Sequence, residues 1–285
     1  MPARGIDHLV VGVRDLDAAA AFYQKLGFTV GARNKHPWGT HNRLVQFKGC
    51  FLELITVGEP ELIPPHERGK FSFGAFVRDQ LARGEGISMV ALESADARKD
   101  NDAFKLLEIS EGDVFHFSRQ GTRPDGSAMT VAFTLAFAHN AAVPRCSFFV
   151  CQQHNPENFW NETFQKHPNG AKTISALTLV VRAPPHHQSF LRAFTGGGLS
   201  AAADECLSFV LPRGRIEALH PQALNSAYGQ DAQKAGFHGF SIALRETNTM
   251  RERLLAEKIR FTEFGGRIVI SPRHAFGSMI VFEKG

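Results

Sequence analysis

Four segments of the chain open alike: GIDHLVVGVRDL from Gly5, GISMVALESAD from Gly86, TISALTLVVRAP from Thr173 and GFHGFSIALRET from Gly236. Each is an aliphatic, partly β-branched run of strand character that ends in polar or proline residues suited to opening a helix. The first following helix is the clearest. Asp15 and Asp17 supply caps or first-turn acids, Ala18, Phe22 and Leu26 recur at one-turn spacing, and Gly27 supplies the stop. Helical stretches follow the other three segments at 101–107, 187–195 and 249–258. Strand-like runs then close each unit, at 43–57, 114–151, 207–219 and 267–282. The spacing therefore predicts β-α-β-β-β four times over. Four long copies make a pair of pairs and not a solenoid.

A second, ungapped match supports pairing of the first two units. Gly49-Cys-Phe-Leu-Glu-Leu-Ile lies over Arg145-Cys-Ser-Phe-Phe-Val-Cys, setting Cys50 on Cys146 and Pro60-Glu61 on Pro156-Glu157. The stretch 155–172, rich in Pro, Asn, Gly and His, reads as the linker between halves. The expected architecture is α+β: four βαβββ modules paired into two curved, cup-like mixed β-sheets with flanking helices. The expected domains are 1–160 and 161–285.

Composition narrows the class of partner. The chain carries 32 basic and 28 acidic residues, scattered without the basic stripe that nucleic acid or a membrane surface would call for. Neither is expected as a partner; a small molecule is, and a homodimer is compatible with the sequence. The four cysteines form no C-x-x-C pair, and no apolar run is long enough to span a bilayer. A reducing cytoplasm is the expected compartment. Phe occurs 25 times against 2 Tyr and 2 Trp, which suits a dry core or a pocket walled by aromatic rings.

The first half resembles the glyoxalase-like domain proteins of the vicinal oxygen chelate superfamily. The residues that carry the resemblance are DHLVVGVRDLDAAAAFYQKLGF, then WGTHNRLVQF, FLELITV, CQQHNPENFW and HPNGA. The resemblance covers roughly the first 170 residues; beyond them only the module pattern recurs. It implies a cup of about eight strands around a small-molecule site, often with a divalent metal that chelates vicinal oxygens of the substrate. Members isomerise, epimerise, open rings with dioxygen or add thiols, and some only bind, so fold does not fix function.

His8 in the first strand and Glu53 in the last strand of module one match the family's metal positions. Imidazole and carboxylate together suit Zn, Fe, Mn, Ni or Co as a divalent ion. Alternation sets Phe51, Glu53 and Ile55 on one face and Leu52 and Leu54 on the other. A carboxylate on the inner face needs a partner there, because burying it alone is costly. Structural roles also fit: a hydrogen-bonded strand histidine, and a Glu53 that faces solvent or pairs with Arg43. Module two departs from the pattern, with Met89 aligned on His8 and Phe149 on Glu53. His154 is the expected third metal ligand, and Cys151 and Gln153 are expected substrate contacts on a shared strand face. Trp38, His41, Asn42 and Arg43 are expected at the substrate, with Trp38 covering the pocket. In the second half Ala176 falls on His8 and Glu217 on Glu53. Glu217, His238 and Glu283 could together build another metal site, although His238 is one residue out of register and strand-end positions explain His238 and Glu283 more simply.

The expected function is that of a glyoxalase-like protein, a metal-dependent lyase, isomerase or dioxygenase acting on a small oxygenated metabolite, with Glu53 holding the metal or moving a proton. The alternative is a non-catalytic binding or sequestering protein of the same fold.

Overall fold

The computed structural model describes residues 2–122 and 128–285. Module one comprises β1 (Ile6–Gly12), α1 (Leu16–Lys25), β2 (Asn34–Lys35), β3 (Thr40–Phe47) and β4 (Cys50–Val57). A helix that the repeat does not predict, α2 (Phe73–Arg83), leads into module two: β5 (Gly86–Glu93), α3 (Ala97–Leu106), β6 (Phe115–Thr122), β7 (Ala128–Ala138) and β8 (Ser147–Gln153). A one-turn helix α4 (Pro156–Phe159) follows. Module three is β9 (Ala171–Val180), α5 (Gln188–Thr195), β10 (Gly198–Ala203), β11 (Cys206–Val210) and β12 (Arg215–Leu219). After α6 (Pro221–Tyr228), module four is β13 (Gly236–Leu244), α7 (Asn248–Ala256), β14 (Thr262–Phe264), β15 (Arg267–Ile270) and β16 (Met279–Lys284).

The modules pair as the repeat predicts. Two eight-stranded mixed sheets form, in the orders β2-β3-β4-β1-β5-β8-β7-β6 and β10-β11-β12-β9-β13-β16-β15-β14. Within a module the first and last strands are parallel; between modules the two first strands are antiparallel.

Side-chain alternation divides each sheet into two faces. From β1, Leu9 and Val11 join the core cluster shared with Leu177 of β9, Phe240 of β13 and Phe194 of α5. That cluster draws on both sheets and on α1, α3, α5 and α7, so the halves pack back to back through one continuous core. Val10 and Ile55 turn the opposite way, into the first cup, where Phe73, Val77 and Leu81 of α2 cover them. Leu224 and Tyr228 of α6 fill the second cup in the corresponding place. Each extra helix therefore follows the last strand of its cup's first module and roofs that cup. Ser72 caps α2 through its side chain, and an apolar residue at every fourth position buries one face.

Two loops join the halves closely at the start of β5. The Ser278 hydroxyl accepts from the amide of Ile87 at 3.0 Å. Gly277, at φ +75°, approaches so near that a Cβ there would lie 2.1 Å from the carbonyl oxygen of Glu85. Among the described residues no helix is long and apolar enough to cross a membrane.

Candidate functional site

The first cup holds a small cavity of about 80 Å³ with one polar wall and one aromatic wall. His8, His36, Asn42 and Glu53 make the polar side, and Trp38, Phe73, Phe115, Phe149 and Phe159 belong to the aromatic one. Glu53 is 5% exposed and lies on the inner face of β4 with Phe51, while Leu52 and Leu54 pack in the shared core. A carboxylate so buried requires polar company. Asn42, diagonally across on β3, donates from Nδ2 to Glu53 Oε1 at 2.6 Å. His8 Nε2 lies 4.0 Å from Glu53 Oε2, and His36 Nε2 lies 3.9 Å from Oε1. Arg43 is not the partner, because its guanidinium is spent on Asp17 at 2.9 Å and on the carbonyl of Gly31.

His8 is fixed from three sides. Its ring stacks on Phe51 with centroids 4.3 Å apart, and the edge of Phe149 meets it at 5.3 Å. Its Nδ1 lies 2.6 Å from the Asp7 carboxylate. Donation from Nδ1–H to Asp7 leaves Nε2 as the ring's lone-pair nitrogen toward Glu53, the arrangement found around metal-bound histidines. Simple alternation would send Asp7 to the far face. A register shift between Ile6 and His8 in the β1–β5 ladder makes Asp7 the extra residue of a bulge, which brings its carboxylate round to His8. Gln153 holds the other oxygen of Asp7 at 2.8 Å.

His36 carries no recognisable sequence signal. A two-residue strand and the turn at Gly39 place it, with Trp38 stacked on its ring at 4.6 Å. Its Nδ1 meets Thr40 Oγ1 at 2.9 Å and its Nε2 meets the Asn42 amide at 3.3 Å. Burial pushes this imidazole below its ordinary value, against the pull of Glu53.

The sheet ladders show why the site is one-sided. Leu9 faces Val90, so the local two-fold between β1 and β5 exchanges His8 with Met89. The pairings Val10–Glu53 and Ala91–Phe149 then exchange Glu53 with Phe149. A thioether and a phenyl ring stand where a second imidazole and carboxylate would complete a symmetric set. Cys151 lines the cavity, and burial, with Asp7 and Glu53 nearby, pushes its thiol well above the usual range. Asp7, His8 and Cys151 bring donor atoms within 4.8 Å of one another, a group able to hold a metal ion.

The remaining expected residues separate. Trp38 and Asn42 line the cavity; His41 and Arg43 do not. On β3 the side chains alternate, so Asn42 facing in sends both neighbours out: His41 lies 3.3 Å from Glu59, and Arg43 engages Asp17. His154 is exposed just past β8, with its Nε2 2.7 Å from the Thr134 hydroxyl and its ring beside His116. It does not line the cavity, because the strand ends before it. Gln153 acts on Asp7 from behind.

The second cup carries different chemistry at the corresponding positions. Its ladders place Ala176 and Gly239 at the positions of His8 and Met89, and Glu217 and Val281 at those of Glu53 and Phe149. Glu217 is held by Arg215 at 2.6 Å and by the Tyr228 hydroxyl at 2.8 Å. Arg215 also binds Glu283 at 3.1 Å. These groups neutralise one another, and His238 faces a separate cleft between the halves, so the three do not form a metal site.

Comparison with known proteins bears on the fold and the family. The chain superposes on a hypothetical protein from Staphylococcus aureus over 99% of its length and 100% of that chain, with a TM-score of 0.69 and 14% identity. It also superposes on an extradiol ring-cleaving dioxygenase from Brevibacterium fuscum, covering 100% of this chain and 73% of that one, at a TM-score of 0.57 and 11% identity. A xylose isomerase-like TIM barrel/4-hydroxyphenylpyruvate dioxygenase fusion protein matches at a TM-score of 0.53 and 11% identity, and the chain spans 50% of its length. At such identities these likenesses establish the fold. No curated protein matches in sequence. The model of the glyoxalase-like domain family matches residues 6–195, more than half of the chain, and the protein belongs to that family.

Proposed function

We propose that the first cup is the active site of a metal-dependent enzyme, a lyase, isomerase or dioxygenase, that takes a small oxygenated metabolite. The observation that carries this reading is the buried Glu53 carboxylate, with His8 Nε2 at 4.0 Å and one oxygen already fixed by Asn42.

The donor set fits a divalent first-row metal. One imidazole and one carboxylate oxygen face each other, and the imidazole is backed by Asp7 in the manner of a metal-ligating histidine. His8 and Glu53 would hold the ion, and the ion would polarise vicinal oxygens of the substrate as a Lewis acid. The protein's own groups do the rest. Asn42 orients Glu53 so that Oε2 is the oxygen left to hold the ion or to take a proton from substrate. Asp7 fixes the His8 ring. Trp38 and the phenylalanine wall exclude water and strengthen each polar contact inside.

Metal analysis of purified protein, followed by a screen of oxygenated metabolites with added Fe, Mn, Ni and Zn, tests the proposal. One equivalent of metal and turnover are expected, with both lost in His8→Ala and Glu53→Gln. Metal that survives both substitutions, or ligand binding without product under every metal, overturns it.

A further inference from the structure

The 80 Å³ cavity is about half the size of the roughly 150 Å³ space that takes a benzene. It therefore admits one end of a metabolite. An outer recess of about 400 Å³ adjoins it. Asn34, Leu44, Arg119 and Phe159 line both, so the two spaces meet at these side chains.

Arg119, on β6, is the cation at that junction. The other cations nearby already have acidic partners: Arg33 and Arg43 share Asp17, and Lys35 pairs with Glu59. Arg119 donates from Nη1 to Asn34 Oδ1 at 3.2 Å, and among the described residues no acidic side chain pairs with it. A guanidinium offers five N–H donors, and holding one half-buried without a counter-charge is costly. The cost shows in its pKa, which burial alone shifts downward. Arg119 is also wired to the reactive end. Asn34 passes from Arg119 to Asn42 Oδ1 at 3.1 Å, and Asn42 passes to Glu53.

We propose that the substrate of this cup is a monocarboxylic acid, bound with its carboxylate on Arg119, its reacting oxygens at His8 and Glu53, and any apolar body in the outer recess. This rests on the reading of the first cup as the active site. One guanidinium matches one negative charge in bidentate fashion. Glu53 in the same space disfavours a dianion.

Both tryptophans of the chain report on this place, Trp38 in the cavity and Trp160 in the recess. Tryptophan fluorescence is titrated with phenylacetate, 3-phenylpropionate and 4-phenylbutyrate, each against its uncharged amide. At least one acid is expected to bind about ten-fold to a hundred-fold more tightly than its amide, as a charge-assisted contact implies. Arg119→Gln should erase that preference while leaving amide binding unchanged, and Arg119→Lys should keep part of it. Glu53→Gln should keep the preference and lose turnover, which separates this proposal from the catalytic one. Equal binding of acids and amides, no binding of any acid at millimolar concentration, or equal weakening of both classes by Arg119→Gln would overturn it.

Discussion

The side-chain amide of Asn42 donates to Oε1 of Glu53 at 2.6 Å across the β3–β4 ladder, and both groups are buried. The contact satisfies a carboxylate that the fold has taken out of water, and it sets which oxygen faces His8. Asn42→Ala removes both functions. Leaving a buried carboxylate oxygen unpaired costs about 1–3 kcal/mol. We expect a loss of stability of that size by urea unfolding, together with at least a ten-fold fall in turnover. Wild-type stability in Asn42→Ala would mean that Glu53 is solvated some other way.

Asp7 does not itself line the cavity, yet its carboxylate orients the His8 ring through Nδ1 at 2.6 Å. Asp7→Asn keeps the shape and removes the charge. Outer partners of metal histidines are typically worth about 10–100-fold in metal affinity. That loss is the expected result by competition with a chromophoric chelator, with the fold unchanged by circular dichroism. Unaltered affinity in Asp7→Asn would remove His8 from the ligand set or Asp7 from its support.

Much of this was legible in the chain. The fourfold opening motif carries the two sheets, and the alignment of Met89 on His8 and Phe149 on Glu53 reappears in the ladders themselves. The helices α2 and α6 do not belong to the repeat, although Phe73, Val77 and Leu81 carry the same one-turn spacing that marks α1. Period-two alternation separates Asn42 from His41 and Arg43, because adjacent strand residues cannot all face one cavity. Other features depend on tertiary placement. Asp7 reaches His8 through a bulge, which reverses what alternation implies. His36 comes from a turn, and Arg119 arrives from the other module across the cup.

The back-to-back packing of the halves makes its own prediction. Gly277 sits at φ +75° with the Glu85 carbonyl oxygen 2.1 Å from where a Cβ would lie. Gly277→Ala meets both a disfavoured backbone region and a backbone clash that no side-chain rotation relieves. A loss of more than about 2 kcal/mol is expected, in the range of strained positive-φ and overpacked sites. Gly266→Ala is the control: it shares a positive φ of 77° but nothing lies within 4 Å of its Cβ, so it should cost less. Equal effects would assign the cost to backbone conformation alone and not to the approach of the two halves.

His238 gives the fold an acid-sensitive point away from the first cup. It lies in the cleft between the halves, and its Nε2 is buried without a hydrogen-bond partner among the described residues. Burial pushes its pKa from 6.5 down to about 4. The sign follows from proton counts. Between these two values the unfolded chain binds a proton that the folded chain does not, so stability rises with pH there. The contribution is complete above about pH 6.5 and is lost as pH falls toward about 4. His238→Gln cannot take up that proton. Urea unfolding of wild type and variant at a series of pH values from 7.5 to 4.5 should therefore show the difference shifting in favour of the variant on the acid side. A difference constant across the series would show that His238 is already solvated, and protonated at its ordinary pKa, in the folded protein.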